Sequence, residues 1–343
     1  MHNKDEPIRH KLERIHHCIS ARMPLFDREH QSALRLFNGF TEGIPGLEIE
    51  LFGRTAVILN KRKDYATLEG LARQLASELT GWLPWIEGVL YKARHNAASA
   101  RGVLLYGERL NTHIVEAGVT YAIDLQMQQD NGFYLDTRNL RQILRTRVKG
   151  QTLLNTFAYT GSLGGAALAG GARKVVQTDR NRAYLDFADK SAEMSGLDKM
   201  LQTCIAGDFF RVVAALKREC RLFDWVIVDP PFFSASDSGR VDLEQNQIAL
   251  INKVRPLVAH IGTLVVVNNG LYVSGEDFLN EIRSLTKDGY LSVEEMMPIP
   301  LDCTGYPETI NNPAYPADYT PFNSPTKIIL LRVTRKDKAE ATG

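Results

Sequence analysis

The second half of the chain alternates apolar runs with amphipathic stretches. The runs "TLLNTF", "KVVQTD", "DWVIVDP" and "GTLVVVNN" are largely apolar rather than alternating. Stretches with helical spacing, such as "RAYLDFADKSAEMSG", lie between them. Strands that are apolar on both faces, each followed by a helix, are typical of a parallel sheet covered by helices on both sides. This pattern predicts an α/β, doubly wound domain from residue 126 onward.

The end of the chain departs from this rhythm. Two strand candidates, "LSVEEMMPIP" and "KIILLRV", are joined by a long Pro-rich loop and no predicted helix. Without a helical crossover, neighbouring strands pair antiparallel. We therefore expect an antiparallel edge on the sheet.

Residues 31–125 predict a small α+β domain. Two alternating runs flank Gly53 and Arg54, which indicates a hairpin. A helix is predicted where four leucines recur at helical spacing, namely Leu68, Leu71, Leu75 and Leu79. Residues 1–30 are predicted to be a helix or arm, so the expected parts are 1–30, 31–125 and 126–343.

Composition narrows the class of protein. The 343 residues are 44% hydrophobic and 24% charged, as in globular domains. No apolar run approaches the roughly 18 residues of a membrane span, and the start of the chain lacks the apolar region of a secretory signal. The four cysteines form no CxxC pair, and the histidines match no metal-ligand spacing. We expect a cytoplasmic protein with no metal and no membrane association.

Candidate chemistry lies at the strand ends, because ligands bind at the carboxyl ends of strands in such sheets. The first strand is followed by "NTFAYTGSLGG". Gly161 and Gly164 would let a loop approach a ligand, and Thr160 or Ser162 would cap the next helix. Close helix packing alone is the alternative explanation for the glycine-rich run "LGGAALAGG".

The next three strands end in acids. Asp179 suits the hydroxyls of a ribose. Asp208 suits an adenine amino group, with Phe209 packed on the ring, although Asp208 is equally a helix cap. Asp229 ends the fourth strand. The four strand ends together indicate an adenosine-bearing cofactor, and NAD is disfavoured because the glycines do not follow the G-x-G-x-x-G order.

Four stretches carry a family resemblance: "RLFNGFTEGIPGLEIELFG", "QDNGFYLDTRNLR", "LLNTFAYTGSLGGAALAGGARKVVQTD" and "DWVIVDPPFFS". In this order they resemble class I S-adenosylmethionine (SAM)-dependent methyltransferases. The resemblance is closest to the bacterial 23S rRNA enzymes that make 5-methylcytosine or 7-methylguanine. It implies a Rossmann-like, seven-stranded core, SAM as cofactor with S-adenosylhomocysteine (SAH) as product, rRNA as partner, and a homodimer.

The resemblance also implies roles for individual residues. The expected cofactor-binding residues are Phe133, Tyr134, Arg138, Asn155, Phe157, Thr160, Gly161, Asp179, Arg180, Asp208, Phe209 and Asp229. The expected catalytic loop is Asp229, Pro230, Pro231 and Phe232.

The "DPPFF" motif suits methylation of a planar nitrogen. The Asp229 carboxylate and the Pro230 carbonyl would accept the hydrogens of an exocyclic amine, and the prolines would hold the loop. Phe232 or Phe233 would stack on the base. A plain turn and core aromatic rings are the alternatives.

Two features differ from the resembling enzymes. Methylation of cytosine carbon 5 needs a cysteine thiolate, and the end of the fifth core strand holds Asn268 and Asn269 instead. Cys303 is the remaining candidate nucleophile. We therefore expect direct in-line transfer to a base nitrogen of RNA, with two alternatives: a catalytically silent RNA-binding or assembly protein, and cytosine-5 methylation through Cys303.

The second difference is at the front, where the larger relatives carry a PUA domain and this chain has about thirty residues. RNA contacts are then expected from basic clusters, with solvated helix faces as the alternative. The clusters are Arg138, Arg141, Arg145, Arg147 and Lys149, and Lys92, Arg94 and His95. Residues 308–327 are expected to form a flap beside the substrate.

Overall fold

The computed structural model describes residues 6–62, 66–93, 100–127, 130–243, 247–311 and 317–336. The chain forms two compact units, one of residues 1–135 with 300–314 and one of residues 136–299 with 315–343. The expected boundaries lay at residues 30 and 125. The first unit instead runs to Leu135 and takes in a segment from near the other end of the chain.

The first unit is built on a five-stranded sheet. Its helices are α1 (Ile8–Arg22), α2 (Gly39–Glu42) and α3 (Ala66–Trp82), and its strands are β1 (Ala33–Asn38), β2 (Leu47–Phe52), β3 (Thr55–Asn60), β4 (Gly88–Ala93) and β5 (Val103–Tyr106). The strand order is β1-β2-β3-β4-β5. A separate hairpin joins β6 (His113–Glu116) to β7 (Val119–Ala122). The hairpin predicted around Gly53 and Arg54 is confirmed as the antiparallel β2–β3 pair.

Buried contacts explain why both ends of this unit belong to it. Ile15, Cys18 and Ile19 of α1 lie in the core with the sheet residues. Arg22 is fully buried, pairs with Glu42 (Nη1–Oε1 2.9 Å) and donates from Nη2 to the Asp302 carbonyl (2.8 Å). A buried guanidinium requires such partners, so the short helix Leu301–Thr304 is held on this unit.

The second unit is the predicted doubly wound domain. Its elements are α4 (Arg138–Arg147), β8 (Thr152–Thr156), α5 (Ser162–Ala169), β9 (Lys174–Asp179), α6 (Arg182–Met194), β10 (Gln202–Ala206), α7 (Phe209–Arg218), β11 (Phe223–Val228), β12 (Phe233–Ser236), β13 (Gly239–Asp242), α8 (Gln247–Val254), β14 (Val258–Asn268), α9 (Gly275–Thr286), β15 (Leu291–Met297) and β16 (Lys327–Val333). Three-residue 3₁₀ turns lie at Met23–Leu25, Lys199–Leu201 and Arg255–Leu257.

The central sheet has seven strands in the order β10-β9-β8-β11-β14-β16-β15. The first five are parallel, whereas β16 pairs antiparallel with both β14 and β15. The predicted fold class and its antiparallel edge are confirmed. The strand order reverses between β8 and β11. In doubly wound sheets, ligands bind at the carboxyl ends of the strands at such a point.

Candidate functional site

The loop after β8 is held in an unusual conformation. Phe157 and Tyr159 have positive φ angles of 56° and 51°, and Gly161 has a φ of 78°. Left-handed backbone at non-glycine residues is strained and persists only where the surroundings enforce it. Two hydrogen bonds from the loop to the end of β9 do so: Ala158 N to Thr178 O (2.8 Å) and Tyr159 N to Asp179 Oδ2 (2.9 Å).

Asp179 is the anchor of this corner. Its Oδ2 accepts from Tyr159 N, and its Oδ1 accepts from Asn181 N at 2.9 Å. Burial raises the pKa of Asp179, and the backbone N–H groups partly oppose that rise. An ionised carboxylate offers about four acceptor sites, so the two bonds leave capacity for ribose hydroxyls. The predicted ribose role is compatible with this geometry.

The glycines of the loop are required by packing. A Cβ on Gly161 would lie 2.3 Å from Ala188 Cβ, and a Cβ on Gly164 would lie 2.3 Å from the Gln177 side chain. Gly161 and Gly164 therefore allow close packing against β9 and α6, and their approach to a ligand stays a prediction. The predicted capping by Thr160 or Ser162 is wrong, because α5 has Gly161 at its cap position and no side-chain cap hydrogen bond.

Asn155 carries a buried hydrogen-bond acceptor that has no partner in the protein. It is 1% exposed and lies near the end of β8. Its Nδ2 donates to Gln177 Oε1 (3.2 Å), whereas its Oδ1 is buried without a hydrogen-bond partner. Buried oxygens are rarely left unpaired, so this atom marks a place for a ligand donor.

Asp208 and Phe209 lie at the start of α7. The Asp208 carboxylate caps the helix, since Oδ1 accepts from Phe210 N (3.0 Å) and Arg211 N (3.2 Å). The capping alternative is thus confirmed, and the adenine contact stays a prediction. Phe209 is 7% exposed and stacks on Phe157, with ring centroids 4.5 Å apart.

Asp229 directly follows β11 and is half-buried. Burial raises its pKa from 3.8 to about 7, and the carboxylate of Asp136 adds to the rise. The neighbouring Pro230 is buried, and its carbonyl accepts a long hydrogen bond from Asn269 Nδ2 (3.4 Å). This acid titrates near neutral pH, as acids at functional sites often do.

The chain after Pro230 turns outward. Pro231 is exposed, and Phe232 and Phe233 are 41% and 55% exposed, so the interpretation as core aromatics is wrong. Phe233 begins the β12–β13 hairpin, which the sequence did not predict. The Arg240 guanidinium lies 4.9 Å from the Phe233 ring centroid.

An exposed arginine directly after β9 contacts this hairpin. Arg180 Nη1 donates to the Ala235 carbonyl (3.3 Å). The role predicted for Arg180 in cofactor binding stays a prediction, since the bond seen here orients the hairpin.

The "GFYLDTR" stretch crosses the boundary between the units. In the first unit, Gly132 has a φ of 79°, Phe133 packs against Tyr121 at 5.0 Å between centroids, and Tyr134 is 44% exposed. In the second unit, Arg138 is half-buried at the first position of α4. Their cofactor contacts stay predictions.

Three described members of the predicted basic clusters, Arg141, Arg147 and Lys92, are buried or ion-paired. Arg141 is fully buried and donates to Thr137 Oγ1 (2.8 Å), and Arg147 pairs with Glu295 (2.8 Å). Lys92 is buried. Its ammonium group donates to four acceptors, namely the Leu125, Met127 and Asp130 carbonyls and Asn131 Oδ1. Burial lowers the pKa of Lys92 to about 8. Arg94 and His95 lie outside the described residues.

The expected flap is divided. Residues 308–311 belong to the first unit, where Asn311 N donates to the Thr41 carbonyl (2.8 Å). Residues 317–327 belong to the second unit, and 312–316 lie outside the described residues. The described residues of this segment therefore do not form a single flap.

The cysteines offer no ready thiolate. Cys303 is 3% exposed in the first unit. Burial raises the pKa of Cys18 and of Cys204 to about 12. Cys220 is exposed beyond the end of α7, the end opposite the strand tips that carry the acids. The Cys303 mechanism loses its support.

The sequence did not predict the contacts of Asp136 and Asn269 at the Asp229 corner, nor the burial of Lys327. Asp136 accepts from Thr326 Oγ1 (2.8 Å), Asn269 contacts the Pro230 carbonyl, and Lys327 is fully buried with Nζ donating to the Gly270 carbonyl (3.1 Å). Burial lowers the pKa of Lys327 to about 8. The only available signals were the position of Asp136 inside "GFYLDTR" and of Asn269 at a strand end.

These features define a class of protein. A doubly wound sheet with a strained loop after its first strand, acids at the next three strand ends and an unpaired Asn155 Oδ1 suits an adenosine cofactor that also carries a hydrogen-bond donor. SAM fits this set, since it has ribose hydroxyls, an adenine amino group and an α-ammonium group. Among the described residues, no three His, Cys, Asp or Glu side chains are grouped to hold a metal.

Comparisons with known proteins agree with this class. Residues 35–301 match the family model of S-adenosylmethionine-dependent methyltransferases. Ribosomal RNA large subunit methyltransferase I of Aeromonas salmonicida (strain A449) is 30% identical over 235 residues, which are 66% of this chain and 58% of that protein. YwbD of Bacillus subtilis (strain 168), provisionally named a ribosomal RNA large subunit methyltransferase, is 28% identical over 305 residues, 85% of this chain and 76% of that protein.

The fold also matches a solved structure. The crystal structure of SMU.776, provisionally named a methyltransferase and complexed with SAH, superposes with a TM-score of 0.82 at 20% identity, covering 95% of this chain and 82% of that one. The chain belongs to the S-adenosylmethionine-dependent methyltransferase family. It spans somewhat over half the length of several curated relatives. In the parts that the structure describes, no helix has the length and apolarity to cross a membrane.

Proposed function

We propose that this protein transfers a methyl group from SAM to a base nitrogen of RNA, and that the RNA is large-subunit ribosomal RNA. The observation that carries the proposal is the corner at Asp229 and Pro230. It combines a half-buried carboxyl group, a carbonyl held by Asn269, and two exposed aromatic rings. This set suits a flat acceptor that carries N–H groups.

The protein's own residues have separable tasks. Asp179 and Asn155 would bind the ribose and the α-ammonium group of the cofactor, and Asp208 the adenine. SAM supplies an electrophilic methyl group when bound. Asp229 and the Pro230 carbonyl would accept hydrogens of the substrate amine, which directs its lone pair into the cofactor site and holds the reactants in line.

The acid must be ionised to accept those hydrogens. Burial raises its pKa to about 7, so the carboxyl group gains and loses its proton around neutral pH. The positive charges of a bound cofactor would favour the ionised form. We expect the rate of methyl transfer to rise with pH through the neutral range.

A nitrogen acceptor is favoured over cytosine carbon 5. The end of β14 carries Asn268 and Asn269 where the cysteine of the 5-methylcytosine enzymes is expected, and Cys303 is buried in the first unit. Attack by carbon 5 needs a thiolate adduct first. None of the four cysteines, all of which the structure describes, is an exposed thiol at this corner.

RNA is favoured by the names of the relatives and by the surface of the corner. The Phe233 ring with Arg240 beside it can stack on a base, and the exposed side chains of Arg180 and Arg211 flank the hairpin. Cations of this kind contact phosphates. A base inside a helix would have to be splayed out to reach Asp229.

The test compares modified nucleosides in ribosomal RNA from cells with and without the gene by mass spectrometry. We expect loss of one N-methylated nucleoside, restored by the wild-type gene and not by an Asp229→Ala variant that still binds SAH. Loss of 5-methylcytosine would overturn the nitrogen assignment. An unchanged nucleoside profile would favour a catalytically silent RNA-binding protein.

A further inference from the structure

A row of buried polar side chains runs from Asn155 on β8 across β9 and β10. Asn155 Nδ2 donates to Gln177 Oε1 (3.2 Å), Gln177 Nε2 donates to Gln202 Oε1 (2.8 Å), and Gln202 Nε2 donates to Asp189 Oδ1 (2.9 Å). Asn155, Gln177 and Gln202 are each at most 8% exposed. The row links the end of β8 to helix α6.

The carboxylate of Asp189 decides, for each amide in this row, which neighbour it donates to and which it accepts from. A carboxylate only accepts hydrogen bonds, and Asp189 also receives the Arg182 guanidinium (2.9 Å) and the Cys204 thiol (3.4 Å). Gln202 must therefore turn its NH₂ group toward Asp189 and its oxygen toward Gln177. Gln177 in turn presents its NH₂ group to Gln202 and its oxygen to Asn155.

The last member of the row is fixed by the same logic. Asn155 has to donate to Gln177, so its Oδ1 faces the other way, where it is buried and has no partner. Gly161 and Gly164 pack directly on the Gln177 amide, since a Cβ on either glycine would lie 2.3–2.9 Å from its atoms. The close approach of the loop leaves Gln177 little freedom to turn.

We propose that Asp189, Gln202 and Gln177 are positioning residues that orient Asn155, so that Asn155 Oδ1 accepts a hydrogen bond from the α-ammonium group of SAM. A row of opposite direction would present the Asn155 NH₂ group to that cation, which is repulsive. The proposal rests on the cofactor and is independent of the methylated atom and of RNA.

The test uses two ligands that differ in the amino-acid part. SAH carries the ammonium group, whereas 5′-methylthioadenosine keeps the nucleoside and the sulfur and lacks it. Gln177→Met has a similar shape but cannot donate or accept. We expect it to weaken SAH binding roughly tenfold, the size of one hydrogen bond to a charged group, and to leave binding of 5′-methylthioadenosine unchanged in calorimetry.

A matched pair of variants covers the far end of the row. Asp189→Asn removes the acceptor-only group and is expected to weaken SAH binding several-fold, again without effect on 5′-methylthioadenosine. Asp186→Asn is the control, because Asp186 also pairs with Arg182 (2.8 Å) but does not touch Gln202. This control is expected to bind both ligands like the wild type.

The outcomes separate orientation from general stability. Equal losses for both ligands, or no loss for either, would overturn the proposal. If Gln177→Met does not fold, the comparison of Asp189→Asn with Asp186→Asn decides, since both side chains are at least partly exposed and both changes keep the side-chain shape. A wild-type protein that binds neither ligand would overturn the cofactor assignment itself, which distinguishes that failure from a failure of the row.

Discussion

Replacing Asp229 by asparagine should stabilise the protein while removing its activity. In the folded state, burial and Asp136 raise the pKa of Asp229 from 3.8 to about 7. Between these two values the folded protein keeps a proton that the unfolded chain has lost. The stability contributed by this group is therefore complete below pH 3.8 and is lost as pH rises through 7.

The magnitude follows from the shift. A rise of about 3 pKa units corresponds to about 4 kcal/mol of unfolding free energy lost at high pH, at 1.36 kcal/mol per unit. Between pH 5 and pH 8 the loss is about 2.5 kcal/mol by the same relation. Asparagine has nearly the same shape and no proton to lose, so Asp229→Asn should escape this loss.

The assay is urea unfolding at pH 5 and pH 8 without cofactor. Trp225 lies on β11, the strand that Asp229 follows, whereas Trp82 and Trp85 belong to the first unit. In a Trp82→Phe, Trp85→Phe variant, Trp225 is the remaining tryptophan, so its fluorescence measures unfolding of the second unit.

We expect the free energy of unfolding of Asp229→Asn, relative to the parent, to increase by about 2.5 kcal/mol from pH 5 to pH 8. The same change at the exposed Asp237 of the neighbouring hairpin is the control and should show no such dependence. A stability difference that is equal at the two pH values would refute the reasoning.

Three further predictions follow from the site. Asp179→Ala should abolish SAH binding in calorimetry, because it removes the anchor of Tyr159 N as well as the ribose acceptor; retained affinity would exclude the ribose role. Cys303→Ser should keep methyl transfer to RNA, and complete loss with an intact fold would restore the thiolate mechanism. Gly164→Ala should destabilise the fold by about 1–3 kcal/mol through overpacking. Gly70→Ala, where no atom beyond its chain neighbours and the adjacent helix backbone lies within 4 Å of the new Cβ, should stabilise it by about 1 kcal/mol; both are measured by thermal unfolding.

The site could be located from the sequence to a useful degree. Parallel strands bring their carboxyl ends to one edge, so acids that each end an apolar run, such as Asp179, Asp208 and Asp229, had to come together once the α/β rhythm was recognised. The hairpin at Gly53 and the helix bearing Leu71 were equally readable. These are local patterns, in which neighbouring residues alone decide the outcome.

Local sequence patterns did not predict which charged residues are buried. Arg141 and Lys92 resemble cations of an open basic surface in the sequence, and the structure surrounds them with acceptors. Asp136 lies far from Asp229 along the chain yet raises its pKa. Burial of a charge and a pKa shift of this kind depend on which segments meet in space. The residue type alone does not predict those contacts.

The loop of residues 157–164 shows both what the sequence predicts and what only the structure reveals. Its glycines predicted that the backbone approaches a neighbouring group closely, and the acids at the strand ends predicted the class of cofactor. Only the packed structure revealed that Gly164 makes room for Gln177 and that the amide row ends in an unpaired oxygen on Asn155. Periodicity along the chain determined the sheet and the position of its crevice; the orientation of each polar group inside it was decided by long-range packing, because a buried hydrogen bond takes its direction from partners that only the fold brings near.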